Sequence, residues 1–484
     1  MEEQQTGLKR GLKLIYVYAI AAGAIFTFIG YWDTIFMSYC GPATFLAFAA
    51  MTCAVLPIAL VYCELAPMFP QVGAELCYNT VGLNKHIGFF SSWAIMMAWI
   101  AVPPAAVMAI IQWFTAKVFP QFGWNTNPSF MTITIIGIIL ICLYCVISLN
   151  DIQIAGKAQL VMLIGAIFGC IVTAVILIFF SGQWSFSNFT EGGFFRSTTI
   201  AGDGFGGWCL GLAMIITPYF GFETVPQMVE EGDFPIENST KAIWGSVVTC
   251  GIVYTLFFFA LGGLEKWESL LFIDGVAANG EYDFLAISAM QRLGGGIGTW
   301  NAWNIWALVF GIFAILCAIG TCLLGFWLST VRLIYAMGRQ NYLPQSFAKV
   351  NKHNQPILPN IFLLVISIAF LILQNGTTFM KDFFNLMSFG CGLAYMCTSI
   401  SALRIHAKHP EWATYKLPGG QFMRILALVI ATAIAIGTCI GQGVGSWISF
   451  GVYMGIGVLL WLTMLQKWKT DPPKWKTPDG EKTF

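Results

Sequence analysis

The sequence has few charged residues and very few histidines. Of its 484 residues, 10% are charged and 57% are hydrophobic, and only four are histidines. Soluble domains of this total length need more polar side chains than this to cover their surfaces. The composition therefore predicts that lipid surrounds most of the chain. The net charge of +1 provides no basic field along which a nucleic-acid backbone would bind, which excludes nucleic-acid partners.

Two further classes of protein are not favoured. The fourteen cysteines are scattered through apolar stretches, as at Cys53 and Cys170, where a thiol behaves as a small hydrophobe, so no disulfide framework is expected. All four histidines fall in loops between apolar runs, which leaves no triad or buried metal cluster to assemble. We therefore expect no enzyme, no metal site and no cofactor.

Twelve apolar runs are long enough, at near twenty residues, to cross about 30 Å of hydrocarbon. Backbone groups in lipid must bond within their own segment, and the runs lack the alternation of barrel strands, so helices are predicted. The predicted spans are residues 14–39, 43–65, 88–116, 130–149, 157–180, 206–228, 243–263, 303–335, 359–374, 378–403, 424–442 and 446–466.

The distribution of Lys and Arg predicts the orientation. If the amino terminus is cytoplasmic, nineteen of the 24 lie on the inner side, where such residues are in excess. The outer side then holds Lys117, Arg196, Lys266, Arg292 and Lys381. This asymmetry predicts an even number of spans in a cell membrane, with both termini cytoplasmic, and the first span is too long for a cleaved signal peptide.

Two acids lie inside predicted spans, Asp33 in the first and Glu223 in the sixth, and no Lys or Arg lies near the middle of any span. Ionisable groups at that depth usually line a water-filled path. Each acid either meets a cation, such as a proton, a metal ion or a substrate ammonium, or is protonated or bonded to nearby backbone.

Both acids follow glycine and aromatic residues. Gly30 precedes Asp33, Gly221 precedes Glu223, and Pro218 and Pro226 flank the sixth-span site. Glycine and proline at mid-span weaken a helix, and two interrupted helices five spans apart point to an inverted repeat with a midplane site. The predicted organisation is a tail at 1–13, repeats of five helices at 14–180 and 206–403, two added helices at 424–466, and a cytoplasmic tail at 467–484.

Several motifs resemble those of the amino acid-polyamine-organocation (APC) transporters, in family order across nearly the whole chain. They are Gly41-Pro42, YCELAP at 62–67, FPQVGAE at 69–75, the start of the third span at 88–93, FGFE at 220–223 with Glu230-Glu231, RLIYAMGR at 332–339, Leu343-Pro344, Leu403-Arg404 and YKLP at 415–418. The resemblance implies the all-α fold of five plus five helices with two more, discontinuous helices 1 and 6, and secondary-active transport of amino acids or amines.

The first-span break departs from this family. The family usually has small residues there, whose amides hold a substrate carboxylate, whereas this chain has Thr27, Phe28 and Ile29. A carboxylate would meet bulky side chains and Asp33, while an ammonium would meet the acid and aromatic faces. The predicted substrate-binding residues are Thr27, Gly30, Tyr31, Trp32, Asp33, Trp99, Phe220, Gly221, Phe222 and Glu223.

Coupling to H+ or Na+ stays open at this point. The lysine that some family members carry midway along the fifth span is absent, since Lys157 lies at its entrance. A sodium site would use eighth-span hydroxyls, of which Thr321, Ser329 and Thr330 are available, although such hydroxyls often bond their own helix.

The sequence therefore predicts a twelve-helix permease for a small nitrogenous substrate, with a cationic organic amine favoured over a zwitterionic amino acid. A channel-like or sensory membrane protein is the rival from another class. An open pore needs polar rings along its length, and the spans show only two central acids.

Overall fold

The computed structural model describes residues 7–26, 29–124, 128–271, 284–374, 382–383 and 386–484. Regular structure in these residues is almost entirely helical. The first half contains α1 (Leu14–Ile25), α2 (Asp33–Cys40), α3 (Thr44–Met68), α4 (Ala74–Gly82), α5 (Lys85–Trp113), α6 (Phe130–Leu149) and α7 (Ile152–Phe180).

The second half continues the helical pattern and ends in a hairpin. It contains α8 (Phe205–Ile215), α9 (Thr224–Met228), α10 (Ser239–Gly262), α11 (Trp267–Leu271), α12 (Leu285–Leu293), α13 (Ala302–Gly311), α14 (Gly320–Arg339), α15 (Ile357–Leu373), α16 (Met387–Lys408), α17 (Gly420–Cys439), α18 (Val444–Leu465), and strands β1 (Lys474–Thr477) and β2 (Gly480–Thr483).

Each of the twelve predicted spans coincides with one of these helices or with a pair of them. Nine helical stretches of the described residues are long and apolar enough to cross a membrane, and α1 and α15 are shorter apolar helices. Only 17% of the apolar stretch of α6 and 11% of that of α18 is buried inside the protein, so these two helices present most of their surface to lipid. The predicted all-α membrane fold is confirmed, whereas the boundaries of the two five-helix repeats stay a prediction.

Side-chain caps define where several long helices begin. Asn84 Oδ1 accepts the Ile87 N–H at 2.9 Å at the start of α5, and Asp151 Oδ1 accepts the Gln153 N–H at 2.8 Å at the start of α7. The first turn of a helix leaves amide groups without partners, and in lipid-facing helices these must be bonded before the hydrocarbon begins. These polar residues therefore fix the first turns of α5 and α7.

The first and sixth spans are interrupted, as the sequence predicts. α1 ends at Ile25 and α2 begins at Asp33, and α8 ends at Ile215 whereas α9 begins at Thr224. α1 packs against α7, α9, α10 and α14, which places the first break inside the bundle. The eighth span is interrupted in another way, since a π-helical stretch at Ile312–Ile319 joins α13 to α14; the sequence did not indicate it.

The described amino-terminal residues and the carboxyl-terminal hairpin lie at one face of the bundle, which we call the inner face after the cytoplasmic position predicted for both termini. Here Leu12 pairs with Gly232 just after α9. Arg332 of α14 binds Glu231 through Nε at 2.8 Å and Nη2 at 3.0 Å, and neither side chain is exposed. The motif residues near 332 and 230 are thus a paired group that joins α14 to the segment following α9.

The structure buries two basic residues whose partners the sequence did not indicate. Lys117, expected in an outer loop, lies in a π-helical extension of α5 at Phe114–Val118, where it is buried and donates to Ser288 Oγ at 2.6 Å. Arg424, the first residue of the predicted eleventh span, is buried and bonded to Glu64 Oε2 at 2.8 Å. Buried charges of this kind require partners, which the chain supplies from distant segments.

Candidate functional site

The first-span break is a turn closed by an acid. Gly30 adopts φ 82°, and its N–H donates to Asp33 Oδ1 at 2.8 Å. Asp33 begins α2, where the partial positive charge of the helix amino terminus stabilises a carboxylate. Its side chain is not exposed to solvent. Of the predicted site residues, Thr27 lies outside the described residues, as does its neighbour Phe28.

The sixth-span break repeats this arrangement. Gly221 adopts φ 144°, and its N–H donates to Glu223 Oε2 at 2.8 Å. The second oxygen, Glu223 Oε1, accepts the indole N–H of Trp99 at 3.3 Å, and neither side chain is exposed. At both breaks the freed backbone amide is bonded by a carboxylate of the same turn, so the interpretation that each acid binds nearby backbone describes this state of the protein.

The two breaks touch each other. A Cβ atom on Gly221 would lie 2.6 Å from the backbone N of Ile25 and 2.8 Å from Ala24 Cβ, distances that real side chains do not adopt. The Ile25 carbonyl, left without a helical partner by the break, accepts the Tyr254 hydroxyl at 2.8 Å. Close backbone approach therefore explains why a glycine stands at 221.

The predicted aromatic residues separate into two groups. Tyr31 lies toward the far end of α5, where its hydroxyl donates to Gln112 Oε1 at 3.0 Å and its ring lies 5.6 Å from that of Phe284. Trp32 is nearly buried and its ring lies 6.1 Å from that of Phe36. These residues lie on the side of the break that leads into α2.

Phe220 and Phe222 form the second group. The ring of Phe222 lies 5.4 Å from that of Tyr395 and 5.3 Å from that of Tyr62, and Phe220 also contacts Tyr395, at 6.1 Å. All four are buried. The structure thus brings Trp99, Gly221 and Glu223 directly together, with this aromatic group beside them, while Tyr31 and Trp32 lie next to Asp33 along the chain.

The sequence analysis overlooked Gln159 of α7. It is fully buried and its Oε1 accepts the Thr321 hydroxyl, which connects the fifth and eighth spans next to Gly23 of α1. The signal was available, since Gln159 is an uncharged polar residue inside an apolar run. The other two hydroxyls considered for sodium, on Ser329 and Thr330, donate to carbonyls of their own helix at 2.9 Å and 2.7 Å.

A second overlooked group joins the site to the inner face. Gln227 of α9 donates through Nε2 to Glu75 Oε2 at 3.0 Å and accepts the Gly73 N–H at 3.1 Å. Glu75 lies on α4, outside the membrane spans, and burial together with the neighbouring Glu223 raises the pKa of its carboxyl to about 8. The sequence singled out Glu75 only as part of a motif.

Comparison with known proteins gives the family. The profile described as "Amino acid permease" matches residues 12–463. The chain is 24% identical to the glutamate/serine transporter AimA of Bacillus subtilis, over 89% of this chain and 77% of the relative.

Two further Bacillus subtilis proteins are similar over most of their length. The methylthioribose transporter is 23% identical, over 94% of this chain and 92% of the relative. The gamma-aminobutyric acid permease is 24% identical, over 90% and 89%. With two interrupted spans meeting at the centre of a helical bundle and a profile match over nearly the whole sequence, this chain belongs to the amino acid permease family of membrane transporters.

Proposed function

We propose that this permease is a secondary-active transporter whose substrate is a small cationic organic amine, bound between the first-span and sixth-span breaks. The observation that carries the proposal is the bonding of both freed amides by the protein's own acids. Gly30 N–H is bonded to Asp33 and Gly221 N–H to Glu223. The donors that would hold a substrate carboxylate already have an acceptor.

Charge favours the same substrate class. An ammonium about 4 Å from the Asp33 carboxylate gains about 4 kcal/mol at an effective dielectric constant near 20, and a carboxylate placed there loses a similar amount. Trp99 and the aromatic group around Phe222 add ring faces that attract cations. Among the described residues of these breaks, no Lys or Arg offers a counter-charge to a substrate carboxylate.

A zwitterionic amino acid is the second candidate. It is favoured by the names of the relatives, two of which transport glutamate and serine or gamma-aminobutyric acid. Another relative transports methylthioribose, a sugar without a carboxylate, so relatives that are similar over most of this chain serve substrates of different chemistry. The discrimination therefore rests on the acids at the breaks.

Protons are the coupling ion that we propose. Glu223 lies at the contact between the two breaks, and each of its oxygens accepts an N–H hydrogen bond that is stronger for the carboxylate than for the neutral acid, so gain or loss of a proton changes this contact. The eighth-span hydroxyls considered for sodium donate their hydrogens within the protein, Thr321 to Gln159 and the others to their own helix, so the proposal of protons rests on Glu223. We further propose that the protein lies in the cell membrane with both termini cytoplasmic, which is supported by the position of the segment around Leu12 and of the carboxyl-terminal hairpin at the same face of the bundle.

Competition for uptake tests the substrate class. Proteoliposomes with an imposed inward proton gradient would be given labelled ethanolamine, methylamine or a short diamine. Unlabelled glycine and alanine would be added as competitors in each case. Saturable uptake in which the amines compete better than the amino acids supports the proposal. Glycine or alanine outperforming every amine without a carboxylate would establish the amino acid reading instead, and flux without saturation would favour a channel.

A further inference from the structure

Residues 467–484 form a folded structure on the inner face. They lie beyond residue 463, where the family match ends. β1 and β2 pair antiparallel, with Trp475 opposite Lys482 and Thr477 opposite Gly480. Along β1 the side chains alternate, since Trp475 and Thr477 are buried whereas Lys474 and Lys476 are exposed. We call residues 467–484 the tail.

Two tryptophans anchor the tail to the transporter. Trp475 is fully buried, and its ring lies so close to Gly73 that a Cβ on that glycine would be 3.0 Å away. Trp468 is 4% exposed and donates its indole N–H to the Asn341 carbonyl at 2.7 Å. Large apolar side chains that are buried in this way contribute most of the affinity in a typical interface.

Polar contacts extend the attachment to four separate segments of the inner face. The Gln71 side chain pairs with the Lys476 backbone, with Nε2 donating to the carbonyl at 2.8 Å. Elsewhere the contacts are Asn341 Nδ2 to Asp471 Oδ2 at 2.8 Å, Lys85 Nζ to the Phe484 carbonyl at 3.2 Å, and Trp412 Nε1 to Asp479 Oδ1 at 2.9 Å. The tail thus connects segments that no short loop joins.

The segment under the tail also binds the inner half of the sixth span. Val72 N–H donates to Glu230 Oε2 at 3.0 Å, and Gly73 N–H donates to Gln227 Oε1 at 3.1 Å. Residues 71–73 therefore bond to the tail on one side and to α9 and the residues after it on the other. A movement of α9 away from this segment would break these two bonds, and a movement together with it would strain the bond between Gln71 and Lys476.

We propose that the tail is an intramolecular latch that holds the inner face closed by clamping residues 71–73. Release of the tail shifts the equilibrium toward conformations in which α9 separates from this segment. The latch does not depend on the substrate, so it stands or falls separately from the proposed transport of amines.

Hydrogen–deuterium exchange of the full-length protein in lipid nanodiscs tests the latch. The attachment of the tail would be weakened by Trp475→Ala, and a chain that ends at Thr470 would lose the whole hairpin and keep only the Trp468 anchor. Exchange at residues 71–73 and 224–231 reports opening, because the amides of Val72 and Gly73 are bonded across this contact. We expect exchange there to rise by about tenfold in both variants.

Lys474→Ala is the matched control, since this side chain is exposed on the opposite face of β1. It should leave exchange unchanged, and exchange in α18 should be the same in every variant. Wild-type exchange at 71–73 in the truncated chain would overturn the proposal. So would a truncated chain that does not fold, because a segment required for folding is not a latch that releases.

Discussion

The Trp99 indole N–H donates to the Glu223 carboxylate at 3.3 Å, from a continuous helix to an interrupted one. α5 therefore fixes one oxygen of the acid, while the Gly221 amide fixes the other. The acid lies at the contact between the two broken spans and accepts one hydrogen bond on each oxygen. A change in its protonation therefore alters its bonds to both Trp99 and Gly221.

Glu223→Gln tests whether this acid takes part in transport. Glutamine keeps the shape and one acceptor oxygen but cannot lose or gain a proton. We expect uptake to fall by at least about tenfold and its pH dependence between about pH 5 and about pH 8 to flatten. Glu191→Gln, a change at an exposed acid, is the control. Wild-type uptake across this pH range in Glu223→Gln would exclude the coupling role.

Asp33→Asn tests the origin of substrate selectivity. Asparagine retains an oxygen that accepts the Gly30 N–H, so the turn should stay closed, but the negative charge is lost. We expect the preference for amines over their α-carboxylated counterparts to disappear, a change of about tenfold or more in the competition ratio. Asp203→Asn, at an exposed position, should preserve it. An unaltered preference in Asp33→Asn would place the selectivity elsewhere.

Gly221→Val tests the contact between the breaks. Its Cβ would meet the Ile25 backbone at 2.6 Å, and φ of 144° is strained for a β-branched residue. We expect uptake to be abolished. Gly206→Val, where a Cβ meets nothing within 4 Å, should transport normally. Normal uptake by Gly221→Val would disprove the close approach of the two spans.

The pKa of Glu75 predicts a pH dependence of stability. Burial raises this pKa from 4.5 to about 8, so the folded state binds the proton more tightly than the unfolded state. The resulting stability is complete below about pH 4.5 and is lost as the pH rises to about 8, with a slope of up to about 1.4 kcal/mol per pH unit.

Glu75→Gln removes this ionisation and keeps an acceptor for Gln227. Its apparent melting temperature should therefore decline less than that of the wild type as the pH rises toward 8. Glu481→Gln, at an exposed position of the tail, should follow the wild type. Parallel curves for Glu75→Gln and the wild type would show that Glu75 does not retain its proton in the folded protein.

The buried pair of Arg332 and Glu231 predicts non-additive losses. Arg332→Met leaves a carboxylate without its cation in the interior, which costs about 3 to 5 kcal/mol. The double variant Arg332→Met/Glu231→Leu should recover most of that loss, as measured by thermal unfolding. Arg196→Met, at a partly exposed pair, should cost about 1 kcal/mol or less. A double variant as unstable as Arg332→Met would contradict this reading.

The helical architecture and both breaks were predictable because lipid imposes strong rules on the sequence. A run of about twenty apolar residues allows only a helix, and glycine or proline beside an acid at mid-span marks where that helix ends. Asp33 and Gly221 were found in this way. The π-helical stretch at Ile312–Ile319 was not predictable, since its sequence is uniformly apolar and carries no signal of irregular backbone.

The partners of the site residues were not predictable either. Gln227 and Glu75 are 152 residues apart in the sequence. Their contact depends on how the helices pack and not on a local sequence pattern. The sequence leaves open whether the acids meet a cation or bond to nearby backbone, and the bonds that they accept from Gly30 and Gly221 are defined only by the folded turns. The direction of a side chain inside a break depends on the tertiary packing around it.

The scattered cysteines have a practical consequence for spectroscopy. All fourteen are free thiols, and the two that are exposed, Cys53 and Cys209, lie on membrane-spanning helices where hydrocarbon replaces water. Maleimides react with the hydrated thiolate, so native positions should label poorly. A Lys474→Cys protein would then carry one fast-reacting site, and a fluorophore there would report the position of the hairpin in single molecules without a cysteine-free background.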